Sequence, residues 1–446
     1  MFEGREIKEK KMDLALHVGL IIFVSLIIFL AIGVPIAISI GLSSTLAMLV
    51  VLPFNGAMIT SAQRVFLGTN SFSLLAIPFF VLAGNIMNTG GIAIRLINCA
   101  KLFGKRFYGP LAQANVVANM LFGAISGSGV AAAAAVGGTI SPIEEQEGYD
   151  KRFSAAVNIC SAPTGMLIPP SNTLIVYSTV AGSVSISALF IAGYIPGILW
   201  GLGIMVVAAM MARKMKYKSE ESGSFKEHVK TVLDAIPSLL LIIIVIGGIL
   251  KGVFTATEGS AIAVVYSLIL SFIYKELKVS DLPRIFLSSA QMSAIVIFMI
   301  GVSSIMSWTM AFAHIPQKIA ALLLGITDNH AVILIIMNVL LLIIGTFMDP
   351  TPAVLIFTPI FLPIVESFGM TPVHFGIMLV FNLCIGTITP PVGPILFTGC
   401  KVGRVTIEEV FKWLLPFYLI TIIILMVVTF VPSFSLLLPR LFGLIK

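Results

Sequence analysis

The feature that most constrains the fold of this chain is a double proline inside a long apolar segment. Residues 373–400 are apolar and contain the stretch CIGTITPPVGPILFTG (384–399). Proline has no amide hydrogen and clashes with the preceding turn, so a helix breaks there. In a bilayer, the N–H and C=O groups freed by a break are tolerated only where protein or a water-filled cavity satisfies them. The stretch therefore predicts a functional opening within a membrane span.

The composition predicts a polytopic α-helical membrane protein. Of 446 residues, 58% are hydrophobic and only 11% are charged, and the mean hydropathy is +1.08. A soluble chain of this length needs far more charged surface. The net charge of +7 does not indicate nucleic-acid binding, because the lysines and arginines lie in short loops between apolar segments. The four cysteines and five histidines are scattered, so no transition-metal or haem site is predicted.

The apolar segments predict about ten spanning helices and two re-entrant hairpins. The predicted spans are two within 14–52, then 72–87, 153–182, 186–212, 235–250, 255–273, 286–313, 373–400 and 410–431. The predicted hairpins, 111–143 and 332–368, each have a weak point near the middle, at GAISGSG (123–129) and GTFMDPTPA (345–353). Residues 92–107 carry basic side chains among apolar ones, which predicts an amphipathic helix at the membrane interface.

A repeat relates the two halves of the chain. GMLIPPSNT (165–173) and GTITPPVGP (386–394) share the pattern G-x-x-x-P-P and lie 221 residues apart. At the same offset, Pro142 corresponds to Pro363 and Gly148 to Gly369. The predicted organisation is a charged N-terminal tail (1–13), a first repeat (14–218), a cytoplasmic linker (219–234), a second repeat (235–438) and a C-terminal tail (439–446).

The distribution of basic residues predicts that the repeats are inverted. With the N-terminus outside, the outer loops hold only Arg64, Lys251 and Lys318, and the other loop lysines and arginines lie inside. The first hairpin then opens from the inside and the second from the outside. Inverted repeats with interrupted helices that meet near the middle of the membrane are typical of secondary transporters.

The helix breaks predict an ion site and an anion site. The carbonyls that end one half-helix suit a hard cation such as Na⁺, and the N–H groups that begin the next suit a carboxylate. Within 111–143, 153–182, 332–365 and 373–400, Asp349 is the only carboxylate, so it is a candidate cation ligand, or else a water-exposed helix cap. Asn158, Asn338 and Asn382 are interpreted as interhelical hydrogen-bonding residues.

Two blocks of sequence resemble a known family. They run from GAISGSG (123–129) to NTLIVYS (172–178) and from GTFMDPTPA (345–353) to GPILF (393–397). Both are similar to the large membrane (M) subunit of tripartite ATP-independent periplasmic (TRAP) transporters, and the similarity runs from about Gly19 to Leu438. One departure is TATEGSA (255–261), where a proline-containing turn is expected.

The resemblance implies an elevator-type, Na⁺-driven importer in the bacterial inner membrane. It implies two partners: a periplasmic substrate-binding protein (P) that delivers the substrate, and a small four-helix membrane subunit (Q). The Q subunit is expected to be a separate chain, because only 13 residues precede the first span. The implied substrates are organic acids, namely C4-dicarboxylates, sialic acids or sugar acids. Na⁺ is the coupling ion, and no cofactor or catalytic residue is implied.

The resemblance also maps the family's cation sites onto the hairpin tips and the facing helix breaks. The predicted Na⁺-site residues are Ser126, Gly127, Ser128, Gly165, Ile168, Pro170, Gly345, Asp349, Thr351, Gly386, Thr389 and Pro391. The predicted substrate contacts are Ser128, Thr164, Pro169, Ser171, Asn172, Thr173, Pro350 and Thr387.

Three alternatives were compared with this hypothesis. A stand-alone Na⁺-coupled carboxylate transporter would share the inverted-repeat design but need no partner. An intramembrane serine protease would need a nucleophile motif, and Gly123–Gly127 resembles one only with the glycine one residue too far from Ser126. A channel fits less well, because two cages near the middle of the membrane suit occlusion better than free flow.

Overall fold

Every regular element of the described residues is a helix. The computed structural model describes residues 2–104, 107–182, 184–217, 225–327 and 329–445, and these contain 21 α-helices and two short 3-10 helices but no strand. The first half of the chain forms α1 (Phe2–Ala31), α2 (Ile36–Met48), α3 (Phe54–Thr69), α4 (Ala76–Thr89), α5 (Ile92–Gly104), α6 (Pro110–Ser126), α7 (Gly129–Gln146), α8 (Lys151–Ser161), α9 (Thr164–Leu167), α10 (Asn172–Val180) and α11 (Ile186–Lys214). The second half forms α12 (Phe225–Leu250), α13 (Ala256–Ile273), α14 (Leu282–Phe312), α15 (Ile315–Ile326), α16 (His330–Gly345), α17 (Pro350–Ser367), α18 (Pro372–Gly386), α19 (Pro394–Gly403), α20 (Ile407–Phe430) and α21 (Ser433–Leu441).

Both halves contain the predicted order of hairpin, broken helix and long final helix. The first unit is α6–α7, then α8–α9–α10, then α11; the second is α16–α17, then α18–α19, then α20. The two predicted hairpins turn at the predicted places, between Ser126 and Gly129 and between Gly345 and Pro350. Both double prolines lie in the gaps between half-helices, as predicted. The inverted orientation of the two units in the membrane stays a prediction.

Local chemistry explains where these helices begin and end. Gly127 ends α6 with a left-handed φ of 61°, a conformation that costs glycine little. The Ser128 hydroxyl then accepts a hydrogen bond from the Ala131 N–H (3.3 Å) and caps α7. In the second hairpin, the Asp349 carboxylate accepts a hydrogen bond from the Thr351 N–H (3.1 Å) and caps α17.

The N-terminal part differs from the prediction in three ways. The predicted tail is not separate, because α1 runs without interruption from Phe2. The chain turns as predicted at Gly33 to Pro35, but α2 has only 13 residues, so it extends about 20 Å and is too short to cross the hydrocarbon core by itself. The following segment, predicted as a loop, forms α3. Hydropathy did not predict this helix, because uncharged polar residues such as Asn55 and Gln63 lower the mean hydropathy of the segment.

Other boundaries also differ. Residues 219–224 of the predicted linker lie outside the described residues, and the rest is helical because α12 begins at Phe225. Charged residues there are good helix formers, so the helix continues beyond its apolar part. The short helices α15 and α21 were not predicted, and α21 crosses the predicted end of the second repeat. The interfacial helix predicted for 92–107 is α5, of which residues 105–106 lie outside the described part.

Fewer uninterrupted spans are present than the ten predicted. Among the described residues, eight helices are long and apolar enough to cross a membrane, and they are α1, α4 with its preceding turn, α11, α12, α13, α14, α17 and α20. The difference has a simple physical basis, because each broken span consists of helices that are individually too short. Helix α17 meets the length criterion although it is one arm of a hairpin.

The helices pack into two groups joined by α5 and α15. One group, which we name the framework bundle, consists of α1–α4 and α12–α14. The other, which we name the hairpin bundle, consists of α6–α11 and α16–α21. Within the hairpin bundle the two repeats interlock: α7 and α8 pack on α19, and α10 packs on α17. The Tyr177 hydroxyl donates to the Pro372 carbonyl (2.6 Å), which joins the repeats across 195 residues of sequence.

Buried asparagines connect equivalent helices in both repeats. In the first, the Asn119 amide of α6 donates to the Ser161 hydroxyl of α8 (2.8 Å). Also in the first, the Asn158 amide of α8 donates to the Ala133 carbonyl of α7 (2.9 Å). In the second, the Asn382 amide of α18 donates to the Asn338 side chain of α16 (2.7 Å). The predicted interhelical hydrogen bonds are thus confirmed. Since a buried amide without partners is costly, these bonds define how each hairpin arm lies against its broken helix.

Candidate substrate and cation site at the helix breaks

Each hairpin tip touches its facing helix break through a pair of glycines. A Cβ at Gly165, before the first double proline, would lie 2.1 Å from the Gly123 Cα in the last turn of α6. A Cβ at Gly386, before the second double proline, would lie 2.4 Å from the Gly345 Cα at the end of α16. Real side chains do not come so close, so only glycine allows the backbones to meet here. The same contact in both repeats brings the tip of each hairpin against a break.

The two tip–break contacts differ in their polar groups. In the second repeat, the Gly393 N–H donates to the Thr346 carbonyl (3.2 Å) and ties the hairpin turn to the loop after the prolines. In the first repeat, the side chain of Asn172 lies beside the turn, where a Cβ on Gly127 would come within 2.8 Å of the Asn172 amide nitrogen. One break therefore holds its hairpin through backbone, and the other presents a side-chain amide.

Both tips line one cavity of about 590 Å³ between the two bundles. This volume is in the range of small-molecule sites. Eight of the predicted site residues line it: Ser126, Gly127, Ser128, Asn172, Thr173, Asp349, Thr351 and Thr387. The structure therefore brings together polar residues that are up to 261 positions apart in sequence.

Four helices begin at this cavity. They are α7, α10, α17 and α19, whose first turns supply Gly129, Asn172, Thr351 and Pro394 to the lining. The N-terminal end of a helix carries a partial positive charge, so converging N-termini favour an anion. In α17 and α19 the first-turn N–H groups already have partners, because Thr351 donates to Asp349, and Ile395 and Leu396 donate to the Thr387 carbonyl. Among the described residues that line the cavity, none is a lysine or arginine. An anion in this cavity would thus be held by backbone and by polar side chains.

Asp349 is the charged residue of the described lining. It is exposed at the tip of the second hairpin, and one carboxylate oxygen caps α17 by accepting from the Thr351 N–H. A carboxylate has capacity for several further contacts after one such hydrogen bond. Capping and cation binding are therefore compatible roles for this side chain, and the hypothesis that it binds Na⁺ stays a prediction.

The other predicted site residues do not line the cavity. They are Thr164, Gly165, Ile168, Pro169, Pro170, Ser171, Gly345, Pro350, Gly386, Thr389 and Pro391. Hydrogen bonds explain two of these positions: the Thr164 hydroxyl donates to the Ser161 carbonyl (2.6 Å), and the Ser171 hydroxyl donates to the Met166 carbonyl and caps α10. Pro170 faces a separate crevice against the framework bundle, lined by Phe80 and Leu241. These residues shape the breaks around the cavity, and their predicted ligand roles are untested.

The framework side of the cavity was not predicted. Helices α4 and α14 contribute Ile77, Val81, Asn85, Met292 and Met299. The Asn85 amide donates to the Ser289 hydroxyl (2.8 Å) and so links these two helices. The one sequence signal for this wall was a polar asparagine, Asn85, inside a predicted span. The apolar residues that face the cavity cannot be distinguished by type from those that face lipid.

The second double proline gives a prediction that tests the break itself. Pro390→Ala with Pro391→Ala returns two backbone N–H groups and allows more helix, so we expect the protein to insert but to lose transport. The measurement is uptake in proteoliposomes, with the quantity of inserted protein determined in parallel. Normal uptake by this variant would show that the break is not the binding element.

Fold and site together define a class. The chain is a multi-pass α-helical membrane protein in which two repeated hairpin-and-break units enclose a cavity, an arrangement found in secondary transporters. The chain belongs to the family of the tripartite ATP-independent periplasmic transporter DctM component, whose model matches residues 23–434. It is a multi-pass protein of the bacterial inner membrane.

Curated relatives and a solved structure agree with this membership. The chain is 53% identical to protein YgiK of Salmonella typhimurium, with 90% of this chain and 93% of that protein covered. It is 39% identical to the C4-dicarboxylate TRAP transporter large permease protein DctM of Pseudomonas aeruginosa (91% and 94% covered). It is 36% identical to the sialic acid TRAP transporter large permease protein SiaM of Vibrio cholerae (89% and 93% covered).

The fold is also similar to a crystal structure at low sequence identity. The YdaH transporter of Alcanivorax borkumensis superposes with a TM-score of 0.64 and 13% identity, over 84% of this chain and 88% of that one. At this identity the likeness concerns the fold alone. The curated relatives with functional names are transporter permeases, which favours transport over the intramembrane protease alternative.

Proposed function

We propose that this chain is the translocation subunit of a Na⁺-coupled importer for organic acids. The observation that carries the proposal is the cavity in which four helix N-termini converge and whose described lining has no basic side chain. Such a cavity favours a substrate carboxylate. The negative charge of that carboxylate is best balanced by a cation bound beside it. Relatives named for C4-dicarboxylate and sialic acid transport support an organic acid as the substrate.

Na⁺ binds, in this proposal, at the two tip–break contacts. Backbone carbonyls at the ends of half-helices and the hydroxyl and carboxylate groups of the hairpin tips are hard oxygen ligands, which suit Na⁺. Asp349 supplies the one negative charge of the described lining. A cation bound there would lower the cost of bringing an anionic substrate into the cavity, which is the physical basis of coupling.

Movement of the hairpin bundle against the framework bundle is the proposed transport step. The cavity lies between the bundles, and its framework wall is largely apolar, with side chains such as Ile77, Val81 and Met299. An apolar wall makes few directional contacts with the substrate, so the hairpin bundle can carry the site past it. Delivery by a periplasmic binding protein and assembly with a small four-helix membrane subunit complete the proposal, in keeping with the tripartite family.

The experiment is uptake into proteoliposomes that contain this chain, the small membrane subunit and the binding protein. Succinate, sialic acid and a sugar acid are supplied in turn, with and without an inward Na⁺ gradient. We expect uptake of one class of acid only when all three components and the gradient are present. Uptake by this chain alone would instead support a stand-alone transporter, and uptake without Na⁺ would contradict the coupling.

A further inference from the structure

A second large depression lies on the side of the hairpin bundle, away from the transport cavity. It is a groove of about 650 Å³ between α11 and α20, and its lining comprises Val207, Met210, Met211, Arg213, Lys214, Pro416, Leu419, Ile420 and Ile423. None of these residues lines the cavity at the helix breaks. The groove therefore has no part in the proposed substrate site.

The walls of the groove are apolar and adaptable. Met210 and Leu419 are 55% and 63% exposed, so they are available to an occupant. Methionine side chains adjust to irregular shapes, which suits flexible acyl chains. Both walls belong to helices that are candidate membrane spans, so the groove opens within the apolar part of the bilayer.

One end of the groove is basic. Arg213 and Lys214 form the last turn of α11, where a span reaches the headgroup region. The helices run antiparallel here. Gly203 of α11 packs against Ile420 and Ile424 of α20, and Phe153 contacts both Tyr217, just after α11, and Trp413, near the start of α20. Lys412 is exposed one turn before Pro416, toward the same end, but Glu408 stands one turn before it and offsets its charge, so the basic end consists of Arg213 and Lys214.

Neither Arg213 nor Lys214 forms a salt bridge within the part of the chain that the structure describes. The two salt bridges found there are Lys151–Glu145 and Arg152–Asp150. The nearest acids in sequence to Lys412 are Glu408 and Glu409, and Glu409 is engaged in the cap of α20, where it accepts from the Thr406 N–H (2.8 Å). Arg213 lies over the Tyr108 ring at 5.5 Å, which orients the guanidinium without giving it a carboxylate partner.

We propose that this groove binds one anionic phospholipid. Its phosphate lies against Arg213 and Lys214, and its acyl chains lie along Leu419, Ile420 and Ile423. Charge complementarity selects this occupant: a zwitterionic lipid fills the apolar part equally well but gains much less from two cations at the headgroup level. Because α11 ends the first repeat and α20 ends the second, the bound lipid would bridge both repeats of the hairpin bundle.

The test measures lipid binding to the purified full chain. Phosphatidylglycerol and phosphatidylcholine with identical acyl chains are titrated in detergent, and bound lipid is counted by native mass spectrometry. We expect one phosphatidylglycerol to bind about thirtyfold more tightly than phosphatidylcholine, which corresponds to ~1 kcal/mol for each of two basic residues. Arg213→Gln with Lys214→Gln should abolish the preference, and Leu419→Trp should weaken the site by filling the groove.

The matched control is Lys275→Gln with Arg284→Gln, which removes the same charge from exposed positions far from the groove in sequence. This variant should keep the preference for phosphatidylglycerol. Equal binding of both lipids by the wild type, or an equal loss in the control, would overturn the proposal. In a parallel measurement on the complex with the small membrane subunit, a groove variant that releases this subunit but keeps the lipid preference would show that the groove is a protein interface and that the proposal is wrong.

Discussion

Gly165→Ala is expected to eliminate transport although it adds only one methyl group. The new Cβ would lie 2.1 Å from the Cα of Gly123 and 2.6 Å from the Ala124 nitrogen, and both obstacles are backbone atoms that cannot rotate away. Overpacking of this kind costs ~3 kcal/mol, which reduces the population of the packed tip–break contact by a factor of about 100. The measurements are proteoliposome uptake and the thermal unfolding temperature of the purified protein.

Two further glycine variants make this test specific. Gly386→Ala should produce the same loss, since its Cβ would lie 2.3 Å from the Gly345 carbonyl carbon in the second repeat. Gly138→Ala is the control, because it lies in the hairpin that Gly165 contacts and its added methyl group meets nothing within 4 Å. We expect the control to be as active and at least as stable as the wild type. Full uptake by Gly165→Ala would show that the close approach of tip and break is dispensable.

Asp349→Asn is expected to raise the Na⁺ concentration needed for half-maximal uptake by at least about fivefold. The attraction between opposite unit charges 4 Å apart is ~1 kcal/mol in water and ~4 kcal/mol near a protein surface, and this variant removes it. Asparagine caps a helix about as well as aspartate, so the hydrogen bond from the Thr351 N–H and the start of α17 are retained. The measurement is the Na⁺ dependence of uptake at a constant substrate concentration.

Asp349→Ala separates the two roles of this residue further. It removes both the charge and the cap, so we expect the same loss of Na⁺ affinity together with ~1 kcal/mol less stability. If Asn at this position keeps the wild-type Na⁺ dependence and Ala does not, Asp349 acts only as a cap. An unchanged Na⁺ dependence in both variants would contradict any role in cation binding.

The helix breaks could be predicted because their causes are local. Proline removes its own hydrogen-bond donor, and Gly127 adopts a left-handed turn that few residues tolerate, whatever surrounds them. Serine and aspartate caps follow the same local logic. The helices α2 and α3 were harder to predict from the sequence. Both pack against α14, which is distant in sequence, and such packing is not visible in the local pattern. Hydropathy indicates whether a segment is removed from water, but it does not indicate the residue at which a helix ends.

Only part of the cavity lining could be predicted from the sequence. The residue types at the hairpin tips indicated polar chemistry, but side-chain direction decided which residues reach the cavity. Thr164 and Ser171 are predicted substrate contacts; their hydroxyls donate to nearby carbonyls and do not line the cavity, and their ligand roles stay predictions. Gly123 was part of a noted motif, yet its contact with Gly165 joins residues 42 positions apart and could not be read from either stretch.

The sequence by itself determined the class of protein, the repeat and the positions of the breaks, because apolar content and proline act on the chain locally. Only the tertiary structure decided that both hairpin tips meet their breaks through glycine pairs, that four helix N-termini share one cavity, and that the framework bundle closes it with apolar side chains. These features depend on the packing of distant segments, in which the direction and distance of each group are set by every neighbouring helix at once.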